Sequence, residues 1–285
     1  MSELLIRAQE LQALLHEPDI IIFDVRHDLH QHRLGRQQYL QAHIPGAYFL
    51  DNEAELVGEK TGTNGRHPLP DLAVFSQLMQ QYGLKPDTPI VVYDASQAHM
   101  AARTWWLLRW AGFERVRILD GGWQAWLAAG GVTDTQLALP PVPRTRKPGM
   151  PEPKQPTVTA SQILAQLAQP RWTLVDARAE PRYRGEMEPI DPVAGHIPGA
   201  LNRPTAFNLQ EDGCFKQPQQ LRAEFEQLLG NIPAEQVVHY CGSGITACHN
   251  LFAMELAGLS GSVLYPGSWS EWITDASRPR ATAQR

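Results

Sequence analysis

The chain contains an internal repeat, and no other feature of the sequence constrains its fold as strongly. Four short segments recur in the same order, at residues 21–26, 42–47, 90–94 and 119–126 in the first copy and at 174–178, 195–200, 237–241 and 264–272 in the second. The interval from Asp24 to His43 is 19 residues, and the matching interval from Asp176 to His196 is 20. Self-similarity at matched spacings indicates duplication of a structural unit. We therefore expect one domain fold to be present twice.

Each copy alternates short apolar runs with longer amphipathic stretches. Residues 89–93 and 237–240 are almost continuously apolar, as strands buried in a parallel sheet are. Residues 75–82 and 221–229 place apolar side chains at helical spacing. The pattern predicts an α/β fold in which each copy forms a parallel sheet flanked by helices. Ligands of such sheets bind beyond the carboxyl ends of the strands.

The region between the copies is rich in proline, from Pro140 to Pro156. Repeated prolines disfavour helices and central strands and keep a segment extended, so this region is predicted to be a semi-rigid linker. We expect the first domain at 17–137, the linker at 138–156 and the second domain at 157–279. A chain of 285 residues is long enough for two domains that each bury a core.

Composition excludes several classes of protein. A hydrophobic content of 43% and a formal net charge of −5 are typical of a soluble globular protein and give no sign of nucleic-acid binding. The first residues do not resemble a signal peptide, and no apolar stretch reaches the length of a membrane span. Three cysteines, Cys214, Cys241 and Cys248, are too few and too irregularly spaced for a disulfide framework or a zinc site. We expect a cytoplasmic protein without a metal ion.

Cys241 directly follows the apolar run 237–240 and precedes the residues Gly-Ser-Gly-Ile-Thr-Ala and a helical stretch. A tight loop of this kind turns backbone N–H groups toward the thiol and has a helix N-terminus behind it, and both favour a negative charge. The arrangement predicts a nucleophilic cysteine that reacts as a thiolate. The alternative is a buried structural cysteine, which does not require two glycines and two hydroxyl side chains immediately after it.

Together, these segments resemble the tandem-domain rhodanese-family sulfurtransferases over nearly the whole chain. The loop 241–247 is similar to the active loop of the family's 3-mercaptopyruvate sulfurtransferases. Thiosulfate sulfurtransferases of the family usually carry basic residues just after the cysteine, where Gly242 and Ser243 stand here. The repeated His-Ile-Pro-Gly-Ala segments and the tryptophan-containing segment 267–272 resemble features of the family's fold.

The resemblance implies a two-step transfer without a cofactor. Cys241 takes the outer sulfur of 3-mercaptopyruvate, which leaves a cysteine persulfide and pyruvate, and the persulfide passes its sulfur to cyanide or to a thiol acceptor such as thioredoxin or glutathione. The loop residues Gly242, Gly244, Ile245 and Thr246 are expected to line the donor site. Because this loop has no Lys or Arg, we expect it to suit a 2-oxo acid thiol better than the thiosulfate dianion.

The resemblance also implies side chains outside the loop. Arg182 matches the position whose guanidinium binds the donor carboxylate. A second arginine is expected near residues 188–190, where Ile190 stands, and Arg184 is the substitute that the nearby sequence offers.

Two first-copy segments resemble those that supply an acid and a histidine to the family's catalytic loop. His67 and Glu53 are the matching residues, with Asp51 as the alternative acid. With Ser243 they would form a relay for the thiol proton.

The sequence leaves other functions open. Asp94 takes the place of Cys241 in the first copy, and because a carboxylate cannot carry a sulfane sulfur, that copy is expected to be catalytically silent. A thiosulfate sulfurtransferase is the main alternative function. A related phosphatase would need an arginine where Ala247 stands, and a non-enzymatic sulfur-binding module would not need the intact loop.

Several repeated residues are assigned to the fold rather than to chemistry. The histidines and arginines among them occur in both copies, although only the second copy has the cysteine. The tryptophans also recur at matching positions, as residues that pack in a core do. They are His43, His196, Arg26, Arg178, Trp123, Trp126, Trp269 and Trp272.

Overall fold

Parallel strands form two sheets in the computed structural model, which describes residues 4–17, 19–141 and 152–282. The strands are Leu5–Ile6 (β1), Ile21–Asp24 (β2), Tyr48–Phe49 (β3), Ile90–Tyr93 (β4), Val116–Leu119 (β5), Thr173–Asp176 (β6), Leu201–Asn202 (β7), Val237–Tyr240 (β8) and Val263–Leu264 (β9). The first sheet has the order β1-β5-β4-β2-β3 and the second β7-β6-β8-β9. All the strand pairs in these sheets are parallel. The predicted α/β class is confirmed.

Helices connect the strands in both copies. They are Ala8–Leu14 (α1), Leu34–Gln41 (α2), Leu72–Gln81 (α3), His99–Trp110 (α4), Gly122–Ala128 (α5), Ala160–Gln166 (α6), Glu180–Arg184 (α7), Pro218–Leu229 (α8), Ala247–Leu256 (α9) and Ser268–Trp272 (α10). The predicted helices at 75–82 and 221–229 correspond to α3 and α8. Among the described residues, no helix is long and apolar enough to cross a lipid bilayer.

The repeat is visible in the hydrogen bonds at the carboxyl ends of the central strands. Asp24 pairs in register with Tyr93, whose hydroxyl donates to its carboxylate over 2.6 Å. Asp176 and Tyr240 occupy the same register positions in the second sheet. Arg178 Nη2 lies 2.7 Å from Asp176 Oδ2, and Arg26 makes the equivalent contact with Asp24 at 2.6 Å. Arg26 and Arg178 therefore form buried ion pairs within the two sheets, in keeping with their assignment to the fold.

The repeated histidines also serve the fold. His43 Nδ1 lies 2.7 Å from the carbonyl oxygen of Tyr39 and stacks on its ring, and His196 makes the same pair of contacts with Tyr183, at 2.6 Å. Trp126, Trp269 and Trp272 are fully buried in the two cores. The fourth tryptophan, Trp123, is half-buried beneath the guanidinium of Arg26.

The chain divides into two compact units that do not follow the predicted limits everywhere. The first contains residues 1–58, 69–154 and 212–214, and the second contains 59–68, 155–211 and 215–285. Residues before 17 belong to the first unit because β1 pairs with β5. The segment 59–68 belongs to the second unit although it precedes the linker in sequence. Residues 142–151 of the predicted linker 138–156 lie outside the described residues. The domain limits 17–137 and 157–279 remain predictions.

One buried histidine makes the second unit sensitive to acid. Burial lowers the pKa of His239 from 6.5 to about 3. The unfolded chain therefore takes up a proton at this residue between these pH values and the folded chain does not, so stability is lost as the pH falls. The limiting slope for one such group is about 1.4 kcal/mol per pH unit.

His239→Val is expected to flatten the acid limb of the stability profile, since it removes the group that must stay neutral in the fold. The repeat supports this choice, because Val92 holds the matching strand position in the first sheet. Urea unfolding at pH 7, 5 and 4 measures the change. Equal pH slopes for the variant and the wild type would contradict the assignment.

Candidate active site

Cys241 lies in the loop between β8 and α9, beyond the carboxyl end of a central strand. The backbone N–H groups of Ser243 and Gly244 donate to its Sγ over 3.4 and 3.1 Å. Gly244 has φ of +83°, and a Cβ there would lie 2.3 Å from the carbonyl oxygen of Pro266. Only glycine fits this turn without displacing the backbone. The loop thus points two amide dipoles at the sulfur, as a thiolate requires.

Backbone contacts with the start of α10 hold this loop in place. The N–H of Cys241 donates to Ser268 Oγ over 3.1 Å, and the carbonyl oxygen of Cys241 accepts from the N–H of Trp269 over 3.0 Å. The carbonyl oxygen of Gly242 accepts from the N–H of Ser270 over 2.9 Å. The amides that face the sulfur are therefore preorganised rather than free to rotate.

Asp94 shows how the same loop is used in the first sheet. Its carboxylate is buried and accepts backbone N–H groups of Ser96, Ala98, Met100 and Ala101 over 2.8 to 3.0 Å. A fixed anion therefore fills the amide cradle of the first copy. In the second copy Cys241 holds the corresponding position, so a thiolate sulfur can occupy the place that the Asp94 carboxylate takes in the first copy.

The structure brings Ser243 and His67 together. Ser243 Oγ lies 2.7 Å from His67 Nδ1, and both residues are buried. His67 reaches the loop because the segment 59–68 is part of the second unit. The neighbouring N–H of Arg66 donates to Ser270 Oγ over 3.0 Å, which ties this segment to the start of α10. A hydroxyl and an imidazole in contact can move a proton, and Ser243 is also one of the two residues whose N–H faces the sulfur.

Two guanidinium groups lie over Gly242. A Cβ at this glycine would be 3.0 Å from Arg66 Nη2 and 3.5 Å from Arg182 Nη2. Arg182 was predicted to belong to the site, whereas Arg66 was missed. The loop itself has no lysine or arginine, but Arg66 and Arg182 bring two cations to it from other segments.

Both arginines belong to an alternating chain of ion pairs that ends at Arg66. Its members run in the order Asp176, Arg178, Glu188, Arg182, Asp191 and Arg66. The carboxylate of Glu188 pairs with Arg182 Nη2 at 2.6 Å and with Arg178 Nη1 at 3.2 Å. Asp191 accepts from Arg182 and, through its other oxygen, from Arg66. The side chains of Glu188 and Asp191 are each 3% exposed. Buried carboxylates of this kind fix the orientation of the guanidinium groups that they bind.

Other predicted residues lie differently. Arg184 is about half exposed and pairs with Glu180 at 3.5 Å. Ile190, where the second arginine was expected, is 39% exposed. Ile245 is buried within the loop, and Thr246 is half-buried just before α9.

The predicted acidic residues Glu53 and Asp51 belong to the first unit. Asp51 accepts the backbone N–H groups of Glu53 and Ala54 and so begins the π-helical turn Asn52–Leu56. Glu53 Oε1 lies 3.9 Å from both His27 Nε2 and His32 Nδ1. Burial lowers the pKa of His27, so that imidazole is neutral near pH 7 and its contact with Glu53 is not a salt bridge.

The two remaining cysteines are poor nucleophiles. Burial, followed by the charges of Asp120 and Asp212, raises the pKa of Cys214 to about 12. Cys248 is fully buried in α9, and its Sγ lies 3.4 Å from the carbonyl oxygen of Gly244. A thiol with so high a pKa is protonated at neutral pH, and a thiol turned toward a carbonyl oxygen is disfavoured as a thiolate.

The sequence matches a family model over most of its length. A model described as the rhodanese-like domain matches residues 7–129 and 159–275. The chain belongs to the rhodanese family. Both copies are rhodanese-like domains, which confirms the predicted fold.

Relatives of the chain are sulfurtransferases. It is 48% identical to a Pseudomonas aeruginosa protein named "Probable 3-mercaptopyruvate sulfurtransferase" over 284 residues, 99% of either chain. It is 35% identical to the thiosulfate sulfurtransferase of Rattus norvegicus over 257 residues, 86% of this chain and 82% of the other. A crystal structure of a 3-mercaptopyruvate sulfotransferase from Escherichia coli superposes with a TM-score of 0.79 at 31% identity, covering 94% of this chain and 99% of the other. The chain is therefore a sulfurtransferase, as predicted.

Proposed function

We propose that this sulfurtransferase takes sulfur from 3-mercaptopyruvate and carries it as a persulfide on Cys241. The observation that supports the donor is the position of Arg182, whose guanidinium lies over the residue next to the nucleophile. A carboxylate bound there would hold the donor's sulfur near Sγ. Planar, bidentate recognition of a carboxylate is the task for which a guanidinium is best suited.

The proposed first step conserves atoms and charge. The Cys241 thiolate attacks the donor sulfur, an S–S bond forms, and the C–S bond breaks with its electron pair passing to carbon as the enolate of pyruvate. The proton of the donor's thiol moves through Ser243 and His67 to that carbon, which gives pyruvate. The amides of Ser243 and Gly244 would stabilise the anionic sulfur before and after the transfer.

The second step transfers the outer sulfur to a thiol acceptor such as thioredoxin or glutathione, or to cyanide, and restores the thiolate. Glu53 is proposed as the acid that supports His67, with Asp51 as the alternative. The first domain is proposed to be catalytically silent, because Asp94 fills its amide cradle. A cytoplasmic location fits an enzyme that works through a free thiolate.

Thiosulfate is the second candidate donor, because one of the relatives is a thiosulfate sulfurtransferase. Steady-state kinetics with both donors and one acceptor decide between them. We expect the larger kcat/KM for 3-mercaptopyruvate and ping-pong kinetics. A larger value for thiosulfate would overturn the donor assignment.

Incubation with the donor alone is expected to add the mass of one sulfur atom to the peptide that contains Cys241. Cys214→Ser and Cys248→Ser should leave that mass gain and the transfer rate intact, because neither thiol is poised to react. Peptide mass spectrometry before and after addition of cyanide measures both loading and release. Sulfur found on Cys214 or Cys248 at comparable occupancy would contradict the assignment of the nucleophile.

A further inference from the structure

The ion-pair chain ends in a guanidinium with an unused edge. Arg66 Nη1 donates to Asp191, but Arg66 Nη2 has no hydrogen-bond partner among the described residues and would lie 3.0 Å from a Cβ at Gly242. The Arg66 side chain is 32% exposed, compared with 16% for Arg182. One edge of the group is thus fixed by a buried carboxylate, and the other is open above the loop that carries Cys241.

Arg182 is held in the complementary way. Its Nε and Nη2 donate to Glu188, and Nη2 also reaches Asp191 at 3.4 Å. Asp191 therefore bridges the two guanidinium groups, with one oxygen on each. This bridge keeps two like charges side by side over one glycine, where their mutual repulsion would otherwise separate them.

We propose that Arg66 supplies the second guanidinium that binds the carboxylate of the sulfur donor, and that Asp191 is the positioning residue that holds Arg66 beside Arg182. The proposal rests on the proposed function, since it takes an anionic donor at Cys241 as given. It replaces the expectation of an arginine near residue 190. A residue distant in sequence takes on that task because the segment 59–68 packs within the second unit.

The charges of the ion-pair chain also affect which anionic donor the site prefers. Three guanidinium groups alternate with three carboxylates, so their formal charges cancel. A donor that offers one carboxylate can use Arg66 Nη2 and Arg182 Nη1, the nitrogens that do not donate to Asp191 or Glu188. A dianion such as thiosulfate gains less, because the buried carboxylates oppose its second charge. Asp191 is thereby expected to disfavour thiosulfate as well as to position Arg66.

The first test replaces Arg66 in the full-length enzyme. Arg66→Ala is expected to lower kcat/KM for 3-mercaptopyruvate by about 10- to 100-fold, mainly through KM, with Arg66→Lys restoring part of the loss. Guanidinium ion added at millimolar concentration should partly rescue Arg66→Ala, because the vacated site is open to solvent. Arg222→Ala is the matched control, since Arg222 is an exposed arginine of the second unit that pairs with Glu226.

The second test is Asp191→Asn. It removes one negative charge and is expected to raise the ratio of kcat/KM for thiosulfate to that for 3-mercaptopyruvate severalfold, an effect that should shrink as salt is added. Circular dichroism and thermal unfolding show whether each variant remains folded.

The proposal would be overturned if kcat/KM of Arg66→Ala for 3-mercaptopyruvate stayed within twofold of the wild-type value. It would also be overturned if Arg184→Ala lost as much activity as Arg66→Ala and guanidinium did not rescue Arg66→Ala. Failure of the proposed donor gives a different result. If the wild type prefers thiosulfate and Arg66→Ala still loses activity with thiosulfate, the donor assignment is wrong and the role of Arg66 as an anion ligand stands.

Discussion

Cys241→Ser is expected to abolish sulfur transfer while leaving the fold intact. Serine fits the loop, since the amides of Ser243 and Gly244 can donate to a hydroxyl oxygen as they do to Sγ. A serine alkoxide is scarcely populated at neutral pH, however, and an oxygen cannot carry a transferable sulfane sulfur. We expect activity below about one hundredth of the wild-type value with either donor.

Rates with 3-mercaptopyruvate and with thiosulfate, together with mass spectra after donor alone, measure this loss. Cys248→Ser is the matched control, because Cys248 lies in the helix that follows the loop and is also buried. Retention of more than about one hundredth of the activity by Cys241→Ser would exclude a covalent mechanism at this residue.

The internal repeat predicted the architecture well because it marks the parts of a parallel sheet that have the strongest patterns. The apolar runs that the repeat aligns became β4 and β8, and the aspartates at 24 and 176 end β2 and β6. One element that was not predicted is too short to have a pattern. β1 is two residues long, and two residues cannot show a period.

The loop around the proposed nucleophile was predictable because it is continuous in sequence. Cys241, Gly242, Ser243 and Gly244 lie between a strand and a helix, and their spacing alone predicts amides around a sulfur. Arg66 was not predictable in that way. Its partner Asp191 is 125 positions away, and charged residues in loops have no periodicity to show which of them will meet. Its position next to His67 was the only signal available.

The structure also changes how the loop relates to donor choice. A loop without lysine or arginine suggested that the loop suits a 2-oxo acid thiol better than thiosulfate, but Arg66 and Arg182 lie over Gly242. Donor preference is therefore expected to depend on the balance between these arginines and the carboxylates of Glu188 and Asp191. An arginine introduced at position 242 would meet two guanidinium groups at once, so it would test repulsion in the site rather than donor recognition.

Arg182→Ala is expected to reduce kcat/KM for 3-mercaptopyruvate by roughly 10- to 150-fold, which corresponds to about 1.5–3 kcal/mol for a lost charge-assisted contact. The variant should remain folded. Glu188 keeps its ion pair with Arg178 and accepts the backbone N–H groups of Ile190 and Asp191, so its buried carboxylate is not left without partners. Arg182→Lys should recover only part of the activity, because an ammonium cannot reproduce the planar fork.

The division of the loss between kcat and KM separates two roles for Arg182. If the guanidinium binds the donor carboxylate equally in the ground state and the transition state, KM rises and kcat is unchanged; if it also fixes the angle at which Sγ meets the donor sulfur, kcat falls as well. We expect both to change, since Arg182 Nη1 and Nη2 lie within 3.7 Å of the position that a Cβ would take at Gly242.

The same kinetic measurement on the Arg66→Ala, Arg182→Ala double variant tests the coupling between the two arginines. Because Asp191 joins the two arginines, the double loss should be smaller than the product of the single losses. Unchanged kcat and KM in Arg182→Ala would remove this residue from the donor site.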